Sequence, residues 1–143
     1  MRRTKSDTDN KHMTVSFPCS KRSFAPARQK INKFARDHGF GKESEDVALA
    51  VQEALKNIMQ HACPADGKMR LSIESNGERL IIEVSDTGGG FDIEAIEKAN
   101  PEPMGVHGRG IQLIKGLMDR VRITSDSEGT VVHMEKDRSS HLT

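Results

Sequence analysis

Residues 68–86, KMRLSIESNGERLIIEVSD, hold two runs of alternating apolar and polar residues joined by Asn76-Gly77. Alternation at every second residue is typical of a strand with one buried face, and Asn-Gly favours a type I′ hairpin turn. With these two residues as the turn, the predicted partners are Ser75 with Glu78, Ile73 with Leu80, Leu71 with Ile82, and Met69 with Val84. Apolar residues then face apolar residues, so the segment predicts an antiparallel hairpin with one core-facing side.

The sequence pattern predicts a strand and two helices before this hairpin. MTVSFPC (13–19) alternates and predicts a short strand with Val15 and Phe17 on one face. Ser23 is a candidate helix N-cap before an apolar stripe that ends at HGFG (38–41). Ser44, followed by two acids, begins a second predicted helix that runs to about Ala62.

The second half of the chain adds helical segments and another hairpin. We expect a short helix from Asp92, a loop over 99–108 and a helix over RGIQLIKGLMD (109–119). RVRITSD and TVVHMEK form a second predicted hairpin, joined through residues 127–129. The whole pattern predicts an α+β two-layer sandwich, in which a mostly antiparallel mixed sheet carries its helices on one face.

Length and composition limit the classes of function. A chain of 143 residues suits one domain, which we place at 13–136 between flexible tails at 1–12 and 137–143. The formal net charge is +1, and five phenylalanines stand beside no Tyr or Trp, so a nucleic-acid binder is disfavoured. No apolar run or signal peptide points to a membrane, which favours a cytoplasmic protein. Cys19 and Cys63 are expected to be reduced thiols.

The segment VSDTGGGFDI (84–93) places an acid and three glycines directly after a predicted strand. Leu80, Ile82 and Val84 face the core, so alternation gives Asp86 the same inward direction. A buried carboxylate needs a hydrogen-bond donor, supplied either by a distant side chain or by a ligand N–H group.

Other loops rich in glycine do not match this segment. It lacks the Gly-Lys-Ser/Thr of a Walker loop, and it follows a hairpin rather than opening a βαβ unit. Gly88 and Gly90 stand where a calcium loop needs oxygen ligands. A plain glycine-rich bend remains the structural alternative.

Glu53, Asn57 and His61 are spaced by four along the second predicted helix. This spacing places them in a line at one edge of the apolar stripe, where polar side chains can face a cleft. The alternative is an ordinary solvated helix face.

A third segment, MGVHGRGIQLI (104–114), places Gly105, Gly108, Arg109 and Gly110 at the start of a predicted helix. Backbone N–H groups at a helix start, together with a guanidinium, can hold an anion. A flexible linker ending in a capping glycine is the alternative.

Together these segments resemble one superfamily, the gyrase, heat-shock-chaperone, histidine-kinase and MutL ATPases. EALKNIMQHA resembles its N box, DTGGGF its D-x-G-x-G-F box, GRGIQLI its second glycine box, and Gly129-Thr130 its last element. The likeness extends over residues 13–136 and implies the Bergerat-type ATP-binding fold. The small size and GRGIQLIKGLMDRV resemble one branch in particular, the anti-sigma-factor serine kinases of bacterial stress and sporulation switches.

The resemblance implies a role for each motif residue. Glu53 would be the general base, and Asn57 would bind Mg²⁺ through its amide oxygen. Asp86 would accept a hydrogen bond from the adenine amino group. The remaining nucleotide-binding residues would be His61, Gly88, Gly90, Gly108, Arg109, Gly110 and Thr130. Gly89 has no assigned role, and Lys56 is expected on the far side of its helix from the cleft.

The resemblance therefore implies an ATP-dependent protein-serine kinase with Mg²⁺ as cofactor. It would phosphorylate a small antagonist protein, bind a sigma factor and act in transcription regulation, with a homodimer left open. Two alternatives are a nucleotide-gated protein-binding module without turnover and a detached histidine-kinase ATPase domain.

Overall fold

Five strands form one sheet in the order β1-β2-β3-β5-β4, and each neighbouring pair is antiparallel. The computed structural model describes residues 11–61, 67–86, 106–126 and 129–139, excluding the side chains of 61, 106–109 and 125–126. The strands are β1 His12–Pro18, β2 Lys68–Ser75, β3 Arg79–Asp86, β4 Arg120–Asp126 and β5 Gly129–Asp137. The helix predicted from Asp92 lies outside the described residues.

The first hairpin forms, but its predicted register is wrong by two residues. Ser75 pairs with Leu80 and Met69 pairs with Asp86. The turn lies at residues 77–78, one position later than predicted, because the backbone N–H of Asn76 donates to the carbonyl oxygen of Arg79 at 3.2 Å. Oδ1 of Asn76 also accepts hydrogen bonds from the backbone N–H groups of residues 78 and 79, each at 2.9 Å. A shift of the register by two residues keeps every side chain on its predicted face, so the residues predicted to face the core still do so.

The helices are α1 Phe24–Asp37, α2 Ser44–His61 and α3 Val106–Leu117, with a 3₁₀ turn at Lys21–Ser23. Ser23 does not cap α1 with its side chain, because it belongs to the 3₁₀ turn that leads into α1 and has a helical backbone, with φ −78° and ψ −17°, where a capping residue is extended. Its hydroxyl donates to the carbonyl oxygen of Pro18 at 2.7 Å. Gly39, just past α1, has a φ of +91°, which explains why the helix ends at the predicted glycine. No helix in the described segments is long and apolar enough to cross a membrane.

All three helices pack on one face of the sheet, which confirms the predicted α+β class. Alternate residues of β2 and β3 are buried, and the fully buried side chains include Ile31, Leu55, Leu71, Ile82, Ile114 and Met134. Burying one such side chain stabilises the fold by about 1.5–3 kcal/mol. The layer between helices and sheet is therefore the principal source of stability.

Lys136 joins the end of the sheet to two helices. Its ammonium donates to the carbonyl oxygen of Leu117, the last residue of α3, at 2.6 Å and lies 3.9 Å from Oδ2 of Asp46 on α2. A cation at a helix C-terminus satisfies a free carbonyl and interacts favourably with the helix dipole. This contact holds α3 beside α2.

Cys19, one residue past β1, is disulfide-bonded. The expectation that both cysteines are reduced is therefore wrong for Cys19. The other cysteine of the chain, Cys63, lies outside the described residues.

His133 lies between two carboxylates on the face of the sheet opposite the three described helices. Its Nδ1 is 3.0 Å from Oε2 of Glu83 on β3, and its Nε2 is 2.8 Å from Oε2 of Glu135 on the same strand. Arg122 is its neighbour on β4. Burial of the ring opposes its protonation, but the hydrogen bonds and charges of Glu135 and Glu83 outweigh that effect and raise the pKa of His133 above 6.5.

We expect the His133→Gln substitution to remove a pH-dependent part of the stability. Because the pKa is raised on folding, the protonated ring contributes fully below about pH 6.5, and this contribution is lost as pH rises through the folded value. Urea unfolding of both proteins across this range measures the difference. His12→Gln, on the same face of β1, controls for the loss of an imidazole, and a His133→Gln effect independent of pH would contradict the assignment.

Candidate active site

Helix α2 carries Glu53 and Asn57 along the edge of its buried stripe. Val51, Ala54 and Leu55 pack into the core, so residues one turn apart at the edge of this stripe face the space beside α3. The Glu53 side chain is 14% exposed and Asn57 is 3% exposed. His61 is the last residue of α2, and its side chain is outside the described part.

The amide of Asn57 is buried without a complete set of partners. Its Nδ2 atom is enclosed and makes no hydrogen bond to the described residues. An unsatisfied buried polar group costs about 1–3 kcal/mol. The N–H group of this amide is suited to a hydrogen-bond acceptor that the described part of the chain does not supply.

Glu53 faces the N-terminal part of α3. A Cβ atom built on Gly110 would lie 3.7 Å from Oε1 of Glu53, which is ordinary van der Waals contact. The carboxylate and the glycine-rich segment therefore meet, although 57 positions separate them in the printed sequence. The sequence placed both residues in motifs but gave no direct sign of this contact.

Helix α3 begins earlier than predicted. It starts at Val106 rather than near residue 109, so the backbones of Gly108 and Arg109 belong to its first turn. The first four N–H groups of a helix have no acceptor within it, and they carry the positive end of the dipole. The side chain of Arg109 is outside the described part, as is Gly105.

The spacing predicted that Lys56 lies on the far side of α2 from the site, and this prediction is wrong for its ammonium. Its Nζ lies 3.5 Å from Oε2 of Glu53, three residues earlier on the same helix. Residues at this spacing are neighbours on a helix surface, and a long lysine side chain can bridge them. Residue spacing gives the direction of the Cα–Cβ bond, but it does not determine where a long, flexible lysine side chain places its ammonium.

Asp86 and Thr130 meet at one end of the sheet. Strand β3 pairs Ser85 with Val131 on β5, so the next positions bring Asp86 opposite Thr130. Both side chains point to the helix layer, and they are 6% and 0% exposed. Both also make polar contacts within the protein. Gly88 and Gly90, two and four positions after Asp86 in the sequence, lie outside the described residues.

A groove of about 790 Å³ runs along the other side of α2. Arg28 and Asn32 of α1 line it together with Glu45 and Leu49 of α2, and none of the predicted site residues whose side chains are described is among its lining. The groove is therefore distinct from the polar residues gathered at α3.

Comparisons with known proteins show the family of this chain. The family model described as the histidine kinase-like ATPase domain matches residues 17–136. Serine-protein kinase RsbW of Listeria innocua is 31% identical over 135 residues, covering 87% of this chain and 85% of the relative. The RsbW of Halalkalibacterium halodurans is 33% identical over 131 residues, covering 85% and 80%.

Solved structures share the fold. The RsbU and RsbW domains of a Mycobacterium tuberculosis protein align with a TM-score of 0.64 at 13% identity, covering 91% of this chain and 33% of that one. The histidine kinase domain of an Erythrobacter litoralis blue-light activated kinase aligns at 0.55 and 23% identity, covering 85% and 62%. The chain belongs to the histidine kinase-like ATPase family and, within it, to the anti-sigma-factor serine kinases, a class of ATP-dependent protein-serine kinases.

Proposed function

We propose that this chain transfers the γ-phosphoryl group of ATP to a serine of a small antagonist protein and that it also binds a sigma factor. The observation that carries the catalytic part is the position of the Glu53 carboxylate against Gly110 of α3. This contact places the carboxylate of the N-box motif next to the glycine-rich segment that would bind the phosphates. The name of the relatives, serine-protein kinase, supports serine as the acceptor.

In the proposed reaction, Glu53 accepts the proton of the serine hydroxyl. The serine oxygen forms a bond to the γ-phosphorus, the bond from that phosphorus to the bridging oxygen breaks, and ADP leaves with the bond electrons. Phosphoryl transfer depends mainly on positioning and on neutralising charge, so a half-buried carboxylate beside the phosphate-binding helix is suited to it.

The adenine would lie at the end of the sheet where Asp86 and Thr130 meet. A buried carboxylate can accept a hydrogen bond from the amino group of the base, and the hydroxyl of Thr130 can join that contact. Gly88 and Gly90 would let the backbone approach the nucleotide, and His61 would line the pocket. These assignments come from the family motifs and stay predictions.

The β- and γ-phosphates would lie at the start of α3. The free N–H groups of its first turn, which includes Gly108 and Arg109, favour an anion. The guanidinium of Arg109 would neutralise further charge, and Gly110 would keep the surface next to Glu53 clear of side chains. The segment 99–108 would close over the phosphates as a lid.

Mg²⁺ fits the donors that α2 presents. The amide of Asn57 offers an oxygen, a hard ligand, one turn after the Glu53 carboxylate. Its Nδ2, which has no partner in the described chain, would donate to an acceptor such as a phosphate oxygen. Mg²⁺ in phosphoryl-transfer sites is held by one or two protein ligands together with the phosphates. When bound, the ion would neutralise charge on the phosphates.

The wider organisation follows from the same proposal. A single kinase domain at 13–136 agrees with the extent of the family match, 17–136. A cytoplasmic location and a homodimer stay predictions, as do the two partner proteins.

Capture of the antagonist tests the proposed function directly. The tagged full-length chain is used to isolate partners from its own cells with and without ATP, and γ-labelled ATP with Mg²⁺ is then added to the captured proteins. We expect an acid-stable phosphoserine on a small protein. An acid-labile product would support the histidine-kinase alternative, and nucleotide-dependent capture without transfer would support the binding module.

We expect Glu53→Gln to abolish most serine phosphorylation while nucleotide binding is kept. The amide preserves the shape of the side chain but cannot take the proton, and general-base catalysis contributes about 10²–10⁴-fold. Single-turnover transfer to the captured antagonist and calorimetry with ATP measure the two properties. Glu45→Gln, on an exposed turn of the same helix, should leave the rate unchanged, and full activity of Glu53→Gln would refute the base assignment.

Asn57→Ala should remove the Mg²⁺-dependent part of the affinity for ATP. The loss should be roughly tenfold or more, since even outer partners of a bound metal have effects of that size. Calorimetry with ATP in Mg²⁺ and in EDTA separates this part from the rest. An affinity that falls equally in both conditions would show a packing defect instead of a lost ligand.

Gly110→Ala should slow transfer without destabilising the protein. Alanine in a helix interior is favoured over glycine by about 0.8–1.0 kcal/mol, and the new methyl group has room to fit. It would nevertheless stand next to Oε1 of Glu53 and displace the reacting groups, with a loss of about tenfold or more. Gly116→Ala, where nothing lies within 4 Å, is the matched control in the same helix and should keep the full rate. Equal rates for both variants would contradict the proposed reaction site.

A further inference from the structure

The two oxygens of Glu53 have different surroundings. Oε2 lies 3.5 Å from Nζ of Lys56, and Oε1 is the oxygen that faces Gly110 on α3. The carboxylate is thus held from the solvent side by a cation and presented to the neighbouring helix by its other oxygen.

The exposed fractions of the two side chains show that the lysine approaches the glutamate from solvent. Lys56 is 44% exposed and Glu53 is 14% exposed, so the lysine reaches inward from solvent to the carboxylate. An ion pair with a partner this exposed contributes little to folding stability. A glutamate has three rotatable side-chain bonds, however, and one anchored oxygen restricts the directions in which the other can point.

We propose that Lys56 is a positioning residue for Glu53. Its ammonium holds Oε2 so that Oε1 faces the start of α3, where the serine hydroxyl would lose its proton. The inference rests on the proposed role of Glu53 as the base. It assigns a function to a side chain outside the line of Glu53, Asn57 and His61, and reaction rates depend steeply on the orientation of the groups that take part.

The variants Lys56→Met and Lys56→Arg test the role of the charge. Methionine keeps much of the length without the ammonium, and arginine keeps the charge. We expect Lys56→Met to lower kcat for antagonist phosphorylation by roughly tenfold, within the range of coupling between residues in contact, with KM for ATP unchanged. Lys56→Arg should recover most of the rate. Lys33→Met, which removes a lysine paired with Asp37 at 2.8 Å on α1, is the matched control and should have the wild-type rate.

A double-mutant cycle with Glu53→Gln distinguishes this proposal from the one on which it rests. If Lys56 acts through Glu53, Lys56→Met should have no further effect in the Glu53→Gln background. A large loss in Glu53→Gln together with a wild-type rate in Lys56→Met would keep the base and overturn the positioning role. Equal losses from Lys56→Met in both backgrounds would also overturn it, and full activity of Glu53→Gln would overturn both assignments.

The ion pair has a readout that does not depend on catalysis. Lysine ammonium signals can be followed by NMR of the nitrogen-labelled protein, and the Lys56 signal should shift when Glu53 is replaced by Gln. Thermal unfolding of Lys56→Met should match that of the wild type, because the exposed pair adds little stability. An unshifted Lys56 signal would show that the contact does not persist in solution and would refute the proposal.

Discussion

The inward face of β3 is the constraint on which the rest of the structure depends. Leu80, Ile82 and Val84 are fully buried under the helices, and the alternation continues to Asp86 at the strand end. A shift of one residue would place the apolar side chains in water and turn the acid outward. The same burial that stabilises the sheet therefore points a carboxylate at the helix layer, opposite Thr130 of β5.

The packing of helix α2 on the core likewise determines where its polar side chains point. Its apolar stripe anchors it to the sheet, and the residues at the edge of that stripe face α3. The distance between Glu53 and the backbone at Gly110 is set by how closely the two helices pack, which leaves room for a Cβ atom at ordinary van der Waals distance from Oε1. Lys136 bonds to the last residue of α3, so the position of this helix follows from contacts at both of its ends.

Local sequence patterns predicted most elements because each depends on neighbours in the chain. The strands, the three described helices, the two hairpins and the inward direction of Asp86 follow from alternation, capping residues and turn residues. The predicted register of the first hairpin was wrong because the turn forms one residue later, at 77–78, where Oδ1 of Asn76 bonds to two backbone N–H groups and its own N–H bonds to Arg79. The prediction that Ser23 caps α1 was wrong because the preceding 3₁₀ turn gives this residue a helical backbone, whereas a capping residue is extended.

The sequence by itself determined which residue types stand at which edge of each element. Periodicity and spacing determine side-chain direction, so Glu53, Asn57 and Asp86 could be named from them. Only the tertiary structure decided which of these groups meet. The contact of Glu53 with α3 and the pairing of Asp86 with Thr130 join residues far apart in the chain, and they depend on helix and strand packing. The sequence also did not predict the contact of Lys56 with Glu53, because the conformation of a flexible lysine side chain depends on the charges around it in the folded protein.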